Sequence, residues 1–275
     1  KVYLNKTPQE LTLKDIEKID SSRLEQYLSY LSNYVHDGKK LSCNDKAKQR
    51  KLSSLRAFYK YFFNKDKLPA NTAAKIKTPK IHDKEIIRLD VNEVADLINA
   101  AESADGLSKR QKAYHENTKI RDVAIITLFL GTGIRISELV GLNVDDVFFD
   151  SDSFVVTRKG GNRTILYFNE EVKNALLNWL DYRDDIKNLD KNEKAMFLSI
   201  RNKRISVRNV QIMVEKYAKI VSPLKKITPH KLRSTFGTNL YRETGDIYVV
   251  ADFLGHSDIN TTKKHYAAMS EDIRR

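Results

Sequence analysis

Apolar side chains recur every three to four residues through most of the chain, and that period predicts helices. Over Ser22 to Val35 the stripe is Leu24, Tyr27, Leu28, Leu31, Tyr34 and Val35; within Asp45 to Asn64 it is Leu52, Leu55, Phe58 or Tyr59, and Phe62. The opening KVYLNKTPQELTLKDIEKID supports one short helix at most, so the first domain is expected to be all-helical. From Lys77 to Arg88 the period disappears and Pro79 interrupts helix, which predicts two domains, residues 1–80 and 89–275, joined by a linker at 81–88.

The second domain opens at Asp90, which with Glu93 has the spacing of a capping box ahead of Val94, Leu97, Ile98 and Ala101. Ala104 to Thr118 reads as a polar connection with His115 on its surface. Val123 to Leu130 is apolar nearly all round, which implies a buried helix. Gly131 and Gly133 then bend the chain, and Arg135 begins a helix whose Ile136, Leu139 and Val140 face inward. Arg135 has Glu138 and Asp145 as available ion-pair partners. A β-hairpin is expected from Ser153 to Phe168, with Phe154 to Val156 in one strand, Thr164 to Phe168 in the other, and a turn at Lys159-Gly160-Gly161-Asn162. In the helix Glu170 to Arg183, Val172, Leu176, Leu177 and Leu180 face inward with Trp179 at or beside the core. A further helix runs from Val207 to Ile220. The fold class is therefore mainly α with a small antiparallel β-sheet, a helical domain followed by an α+β domain.

A chain of 275 residues can build two cores. No apolar run reaches the length of a membrane span, and there is no charged-then-apolar leader. Cys43 stands alone, without disulfide or metal-ligand companions. These features place the chain in a reduced cytoplasm, away from membranes. Charge adds a partner. The net charge is +13, and residues 1–80 carry 18 basic against 8 acidic side chains, so +10 of it lies in the first third. A polyanion is the natural partner of such a surface. Lys46, Lys48, Arg50, Lys51, Arg56 and Lys60 lie mostly off the apolar stripe of their helix, which can therefore bury one face and lay the other along DNA. Arg201, Lys203, Arg204 and Arg208 read either as a second phosphate-binding stretch or as a solvated loop.

Thr228 to Tyr266 gathers His230, Arg233, His256 and Tyr266. Arginine grips two phosphate oxygens with a permanently charged fork, histidine moves protons near neutral pH, and tyrosine supplies a nucleophilic oxygen. Singly, each is more often structural than catalytic. In order, H-x-x-R, then Leu-Gly-His, then Tyr, they resemble the C-terminal signature of the tyrosine recombinases, the lambda-integrase family, and most of all its Xer-like members. TGIRISEL is similar to the family's TG-x-R-x-S-E-L and puts the first catalytic arginine at Arg135. Lys159 matches the family's catalytic lysine in the hairpin turn, although Arg158-Lys159-Gly160 stands where the family commonly has G-K-G. Ser234 replaces a frequent histidine after Arg233, and His256 and Tyr266 are ten apart where nine is common in Xer proteins.

The resemblance implies a two-domain DNA clamp. Tyr266 would form a 3′-phosphotyrosyl link, Arg135 and Arg233 would hold the nonbridging oxygens, and Lys159 would protonate the leaving oxygen. His230 would take the tyrosine proton or orient the phosphate, and His256 would bond a nonbridging oxygen. Arg158 and Arg163 read as phosphate contacts rather than catalysts. Neither ATP nor Mg²⁺ nor any other cofactor or metal is called for. Four protomers would hold two double-stranded DNA sites, a dimer per site, with an accessory or second recombinase protein as a further partner, in a bacterial-type cytoplasm beside the nucleoid. The family's first helix looks absent, so the natural chain is expected to start earlier, and the C-terminal segment offered to a neighbouring protomer looks short or incomplete. Within this scheme the sequence does not choose between chromosome dimer resolution and mobile-element integration or excision. A type IB topoisomerase or a noncatalytic DNA-binding regulator on the same scaffold are the alternatives.

Overall fold

A computed structural model describes residues 7–79, 87–158, 160–255 and 262. The chain divides into two compact units, 1–85 and 86–275.

In the first unit, helices α1 (Leu13–Glu17), α2 (Ser21–Tyr30) and α3 (Asp45–Phe63) enclose a core of Leu24, Leu28, Leu31, Leu52, Tyr59, Leu68, Ala73 and Ile76. Asp20 and Asn44 cap α2 and α3, accepting from the backbone N–H of Arg23 at 2.8 Å and of Ala47 at 2.9 Å. The stripe on α3 resolves in favour of Tyr59, which is buried, while Phe58 is exposed. This unit is not all-helical. The helix expected to reach Val35 stops at Tyr30, and β1 (Tyr34–His36) pairs antiparallel with β2 (Lys39–Leu41). Asp37 and Gly38, both at positive φ (49° and 73°), make the two-residue turn between them. Such a turn matches strand twist, so Asp-Gly overrides the apolar period preceding it.

The second unit is built from α4 (Val91–Ser103), α5 (Lys109–His115), α6 (Lys119–Thr132), α7 (Ile136–Gly141), β3 (Val147–Phe148), β4 (Ser153–Thr157), β5 (Arg163–Tyr167), α8 (Glu170–Asp184), α9 (Val207–Val221), α10 (Pro229–Thr244) and α11 (Ile247–Leu254). The strands form an antiparallel sheet in the order β3-β4-β5, with Phe154 opposite Leu166. Helix α6 lies at the centre, against α4, α8 and α10, and buries Ala124, Ile125, Ile126, Leu128 and Phe129 completely. On α8, Val172, Leu176, Trp179 and Arg183 are buried, but Leu177, expected inward, is exposed. It sits about 100° round the helix from Leu176 and so leaves the buried stripe. Trp179 Nε1 donates to Met196 O at 2.8 Å and Arg183 Nε to Ala195 O at 3.2 Å, which ties the irregular chain before α9 to α8.

His115 is not a surface residue. The segment expected as a polar connection contains α5, and the His115 ring is 1% exposed, with Nε2 2.8 Å from Ala101 O and a T-shaped contact with the Tyr217 ring. Below it lies a charge network that the apolar pattern did not signal. Arg121 donates to Asp122 Oδ1 at 3.0 Å and 2.6 Å and to Leu198 O at 2.6 Å. Asp122 Oδ2 accepts from the Tyr217 hydroxyl at 2.9 Å and from Lys216 at 3.3 Å. Burial, reinforced by the Asp122 charge, pushes the Tyr217 phenol far above its usual range; burial pulls Lys216 down against the opposing pull of Asp122. At the entrance to α4, Glu93 accepts from Lys225 at 2.6 Å, from Asp90 N at 2.9 Å and from the Ser222 hydroxyl. Burial alone would raise this carboxyl, but the three donors outweigh it and hold its pKa at about 2.

Asp122→Ala strips the counter-charge from buried Arg121 and half-buried Lys216 and is expected to cost about 3–5 kcal/mol in denaturant unfolding, whereas Tyr217→Phe, which removes one hydrogen bond, costs about 1 kcal/mol. Because folding depresses the Glu93 pKa, its contribution is present above pH ~4.5 and fades as pH falls toward 2. After discounting for the partly exposed Lys225, that contribution is about 1–2 kcal/mol, and Glu93→Gln should flatten the urea midpoint over that pH range relative to the wild type.

Candidate functional site

The candidate site forms where α6 ends, α7 and α10 begin, and α11 stops. Gly133 terminates α6 in the left-handed conformation (φ 60°), and a Cβ there would run into the Phe236 ring. The chain can then turn within two residues, which makes Arg135 the residue capping α7. Glu138, 6% exposed, accepts from the Arg135 backbone N–H at 2.9 Å and from Arg135 Nη1 at 2.8 Å. Of the two acids open to Arg135 in the sequence, Glu138 is therefore the one that fixes it.

The other end of the Arg135 guanidinium crosses to α11, where Nη2 donates to Leu254 O at 3.1 Å and to Gly255 O at 2.9 Å. Arg233, buried on α10, donates through Nη1 to Gly133 O and through Nη2 to the same Leu254 O. Arg158, at the end of β4, donates from Nη2 to Phe253 O at 3.3 Å. Three guanidinium groups from three regions of the chain thus meet the last carbonyls of α11. Those carbonyls have no helical partner and carry the negative end of the helix dipole, so cations are held there without being neutralised. Two arginine forks sharing one acceptor oxygen are close enough to grip one phosphate.

His230 is exposed in the first turn of α10, one turn before Arg233, and its carbonyl accepts from the Ser234 hydroxyl at 3.0 Å. Lys159, His256 and Tyr266 lie outside the described residues. Leu254 and Gly255 are the residues that sequence reasoning passed over as functional. Their signal was the Leu-Gly pair after an apolar helical run, the pattern of a glycine-capped helix end.

The expected DNA contacts separate into two groups. Arg50, Lys51 and Lys60 on α3, Arg201 in the turn before α9, and Arg208 in its first turn are exposed, as is Arg163, which has Asp146 at 3.7 Å. Lys48 is half-buried and 3.7 Å from Asp45. Arg56 instead donates to Ala73 O, Ile76 O and the Thr78 hydroxyl, holding its own chain against α3. Arg204 donates to Val140 O at 2.8 Å, Leu142 O at 2.9 Å and Asn143 Oδ1 at 2.6 Å, strapping the end of α7. Among the described residues no His, Cys, Asp and Glu cluster suits a metal ion, and no helix is long and apolar enough to cross a membrane.

Comparison with known proteins gives the family and the fold. The model of the phage integrase family matches residues 87–272. The tyrosine recombinase XerC of Caldanaerobacter subterraneus subsp. tengcongensis is 38% identical over 251 residues, covering 90% of this chain and 65% of that protein. XerC of Thermodesulfovibrio yellowstonii is 36% identical over 217 residues, covering 78% and 68%. Among solved structures, the XerA recombinase is 26% identical with a TM-score of 0.57, covering all of this chain and 88% of that one. The XerH site-specific recombinase bound to a palindromic difH substrate, a post-cleavage complex, shares the fold with a TM-score of 0.71 at 18% identity, covering 93% and 71%. A family match over residues 87–272, on a chain whose TGIRISEL arginine and H-x-x-R arginine meet over one helix end, places this protein in the phage integrase family, among the tyrosine recombinases.

Proposed function

We propose that the chain is a site-specific recombinase that cuts and rejoins double-stranded DNA through a 3′-phosphotyrosyl intermediate and a Holliday junction. The observation that carries this reading is the convergence of Arg135 and Arg233 on Leu254 O, two residues before His256 and twelve before Tyr266. In this reading the phosphate displaces or joins the carbonyls as acceptor, and the two guanidiniums stabilise the charge that grows on its nonbridging oxygens. The Tyr266 oxygen forms its bond to phosphorus as the bond to O5′ breaks. His230 takes the tyrosine proton, Lys159 gives a proton to O5′, and His256 bonds a nonbridging oxygen. The ester so formed conserves the energy of the cut bond, and a 5′-hydroxyl from a second duplex can attack it. ATP and Mg²⁺ have no step to perform.

The DNA partner is supported by the positive first third and by the exposed Arg50, Lys51 and Lys60 on α3, and XerH, which shares the fold, was solved bound to a difH substrate. Two sites held by four protomers, each pair on one duplex, follow from the need to exchange strands between duplexes. The protomers are monomers until they meet DNA, in a cytoplasm that gives access to the nucleoid.

Cells expressing the wild type should yield covalent protein–DNA adducts that survive detergent and vanish on proteolysis, and Tyr266→Phe should yield none. Sequencing the trapped DNA gives the site. A single recurrent sequence supports the recombinase, and adducts scattered without sequence preference would instead mark a topoisomerase. On a nicked duplex of the recovered site, Arg135→Ala or Arg233→Ala should slow cleavage about 10²–10³-fold, the usual cost of removing one oxyanion donor, and EDTA should leave the rate unchanged. Gel filtration of the DNA-free protein should give a monomer, and a stable tetramer there would overturn the assembly order.

A further inference from the structure

The pairing of Arg158 with the end of α11 points away from the role that its charge and position suggest. We propose that Arg158 is a positioning residue for protonation of the leaving oxygen: it locks the β4–β5 turn onto the turn that ends α11. The inference rests on the recombinase reading and on Lys159 as its general acid.

Arg158 closes the turn from its own backbone. Its N–H donates to Asn162 O at 2.8 Å, and its carbonyl accepts from Gly161 N at 3.0 Å. Its side chain leaves the hairpin and reaches Phe253 O. The guanidinium occupies the space where a Cβ on Gly255 would stand, and Gly255 is at φ 58°, so the missing side chain both permits the backbone turn and admits the arginine. Nε is screened from solvent and has no acceptor among the described residues. Arg158 is half-buried, and its fork is turned toward the end of α11 with Nη2 bonded to Phe253 O. The next carbonyls, Leu254 O and Gly255 O, are those that hold Arg135, and Leu254 O also holds Arg233. One short turn therefore serves as a common reference for the arginine pair and for the hairpin whose next residue is Lys159. The glycine common before the lysine in the family has no side chain with which to make this link.

Leaving-group protonation can be isolated chemically. When sulfur replaces the 5′-bridging oxygen, the P–S bond breaks to a thiolate that departs without a proton, so the general acid is no longer needed. The test uses a nicked duplex of the site recovered from covalent adducts, with either oxygen or sulfur at that position, under saturating protein. With oxygen, Arg158→Ala should lower the single-turnover cleavage rate about 10-fold or more, and Arg158→Lys should fall between it and the wild type. With sulfur, Arg158→Ala should return to within about 3-fold of the wild type, because general-acid catalysis is the part it lost. Its Kd for the site and the salt dependence of that Kd should stay within about 2-fold of the wild type, which also certifies its fold. The proposal is overturned by a variant that cleaves normally, by equal slowing on both substrates, or by weaker binding with the salt slope reduced by about one, the mark of a lost phosphate contact. A wild type that forms no adduct would sink the recombinase reading itself, and so is distinguishable from each of these.

Discussion

Carbonyls at the end of a helix need donors from elsewhere, and in the second unit this need joins the candidate site together. Phe253, Leu254 and Gly255 receive donors from β4, from the start of α7 and from α10, positions up to 120 residues away in sequence. A neutral donor would satisfy the same carbonyls, but arginine does so while keeping its charge. The result is a locus that is structurally bonded yet still cationic. Glu138 fixes the direction of Arg135, and Gly133 lends its carbonyl to Arg233 while ending α6, so each fork has its own anchor beside the shared carbonyl.

The arrangement depends on α6 staying in place. Its fourteen residues span ~21 Å, with Asp122 in the first turn and Gly133 just past the last. At one end, Asp122 is held by Arg121, Lys216 and Tyr217, and Arg121 also bonds Leu198 O. At the other, the Gly133 turn abuts Phe236 of α10. A buried ion network of this kind is weak evidence of net stability, but it strongly penalises misplacement, since any shift leaves a charge unpaired in the interior. That property is what a site assembled from remote segments requires.

Arginine has two uses in this molecule, and composition does not separate them. Arg56, Arg121, Arg183 and Arg204 direct their donors to backbone carbonyls of their own unit, while Arg50, Arg201 and Arg208 stay exposed. The fork that suits a phosphate also suits a pair of carbonyls, because both present acceptor oxygens at similar spacing. Positive charge thus suits the chain as a whole to a polyanion without indicating which side chains would meet one.

Much of the short-range structure was legible in the sequence. The apolar period marked α2, α3, α4 and α8, the all-round apolar run marked α6, the Gly-Gly-Asn turn marked the hairpin, and the order of His, Arg, Gly-His and Tyr carried the family resemblance that the comparisons establish. These features are local because helices and tight turns are specified by residues a few positions apart. Where the local signals competed, the stronger one won, as the Asp37-Gly38 turn ended a helix that the apolar period would have extended; packing decided the rest, carrying His115 of α5 into the core beside Tyr217. Only the fold brought Arg135, Arg158 and Arg233 to one helix end. Which oxygen a guanidinium reaches depends on how distant segments pack, and no spacing within the chain encodes that.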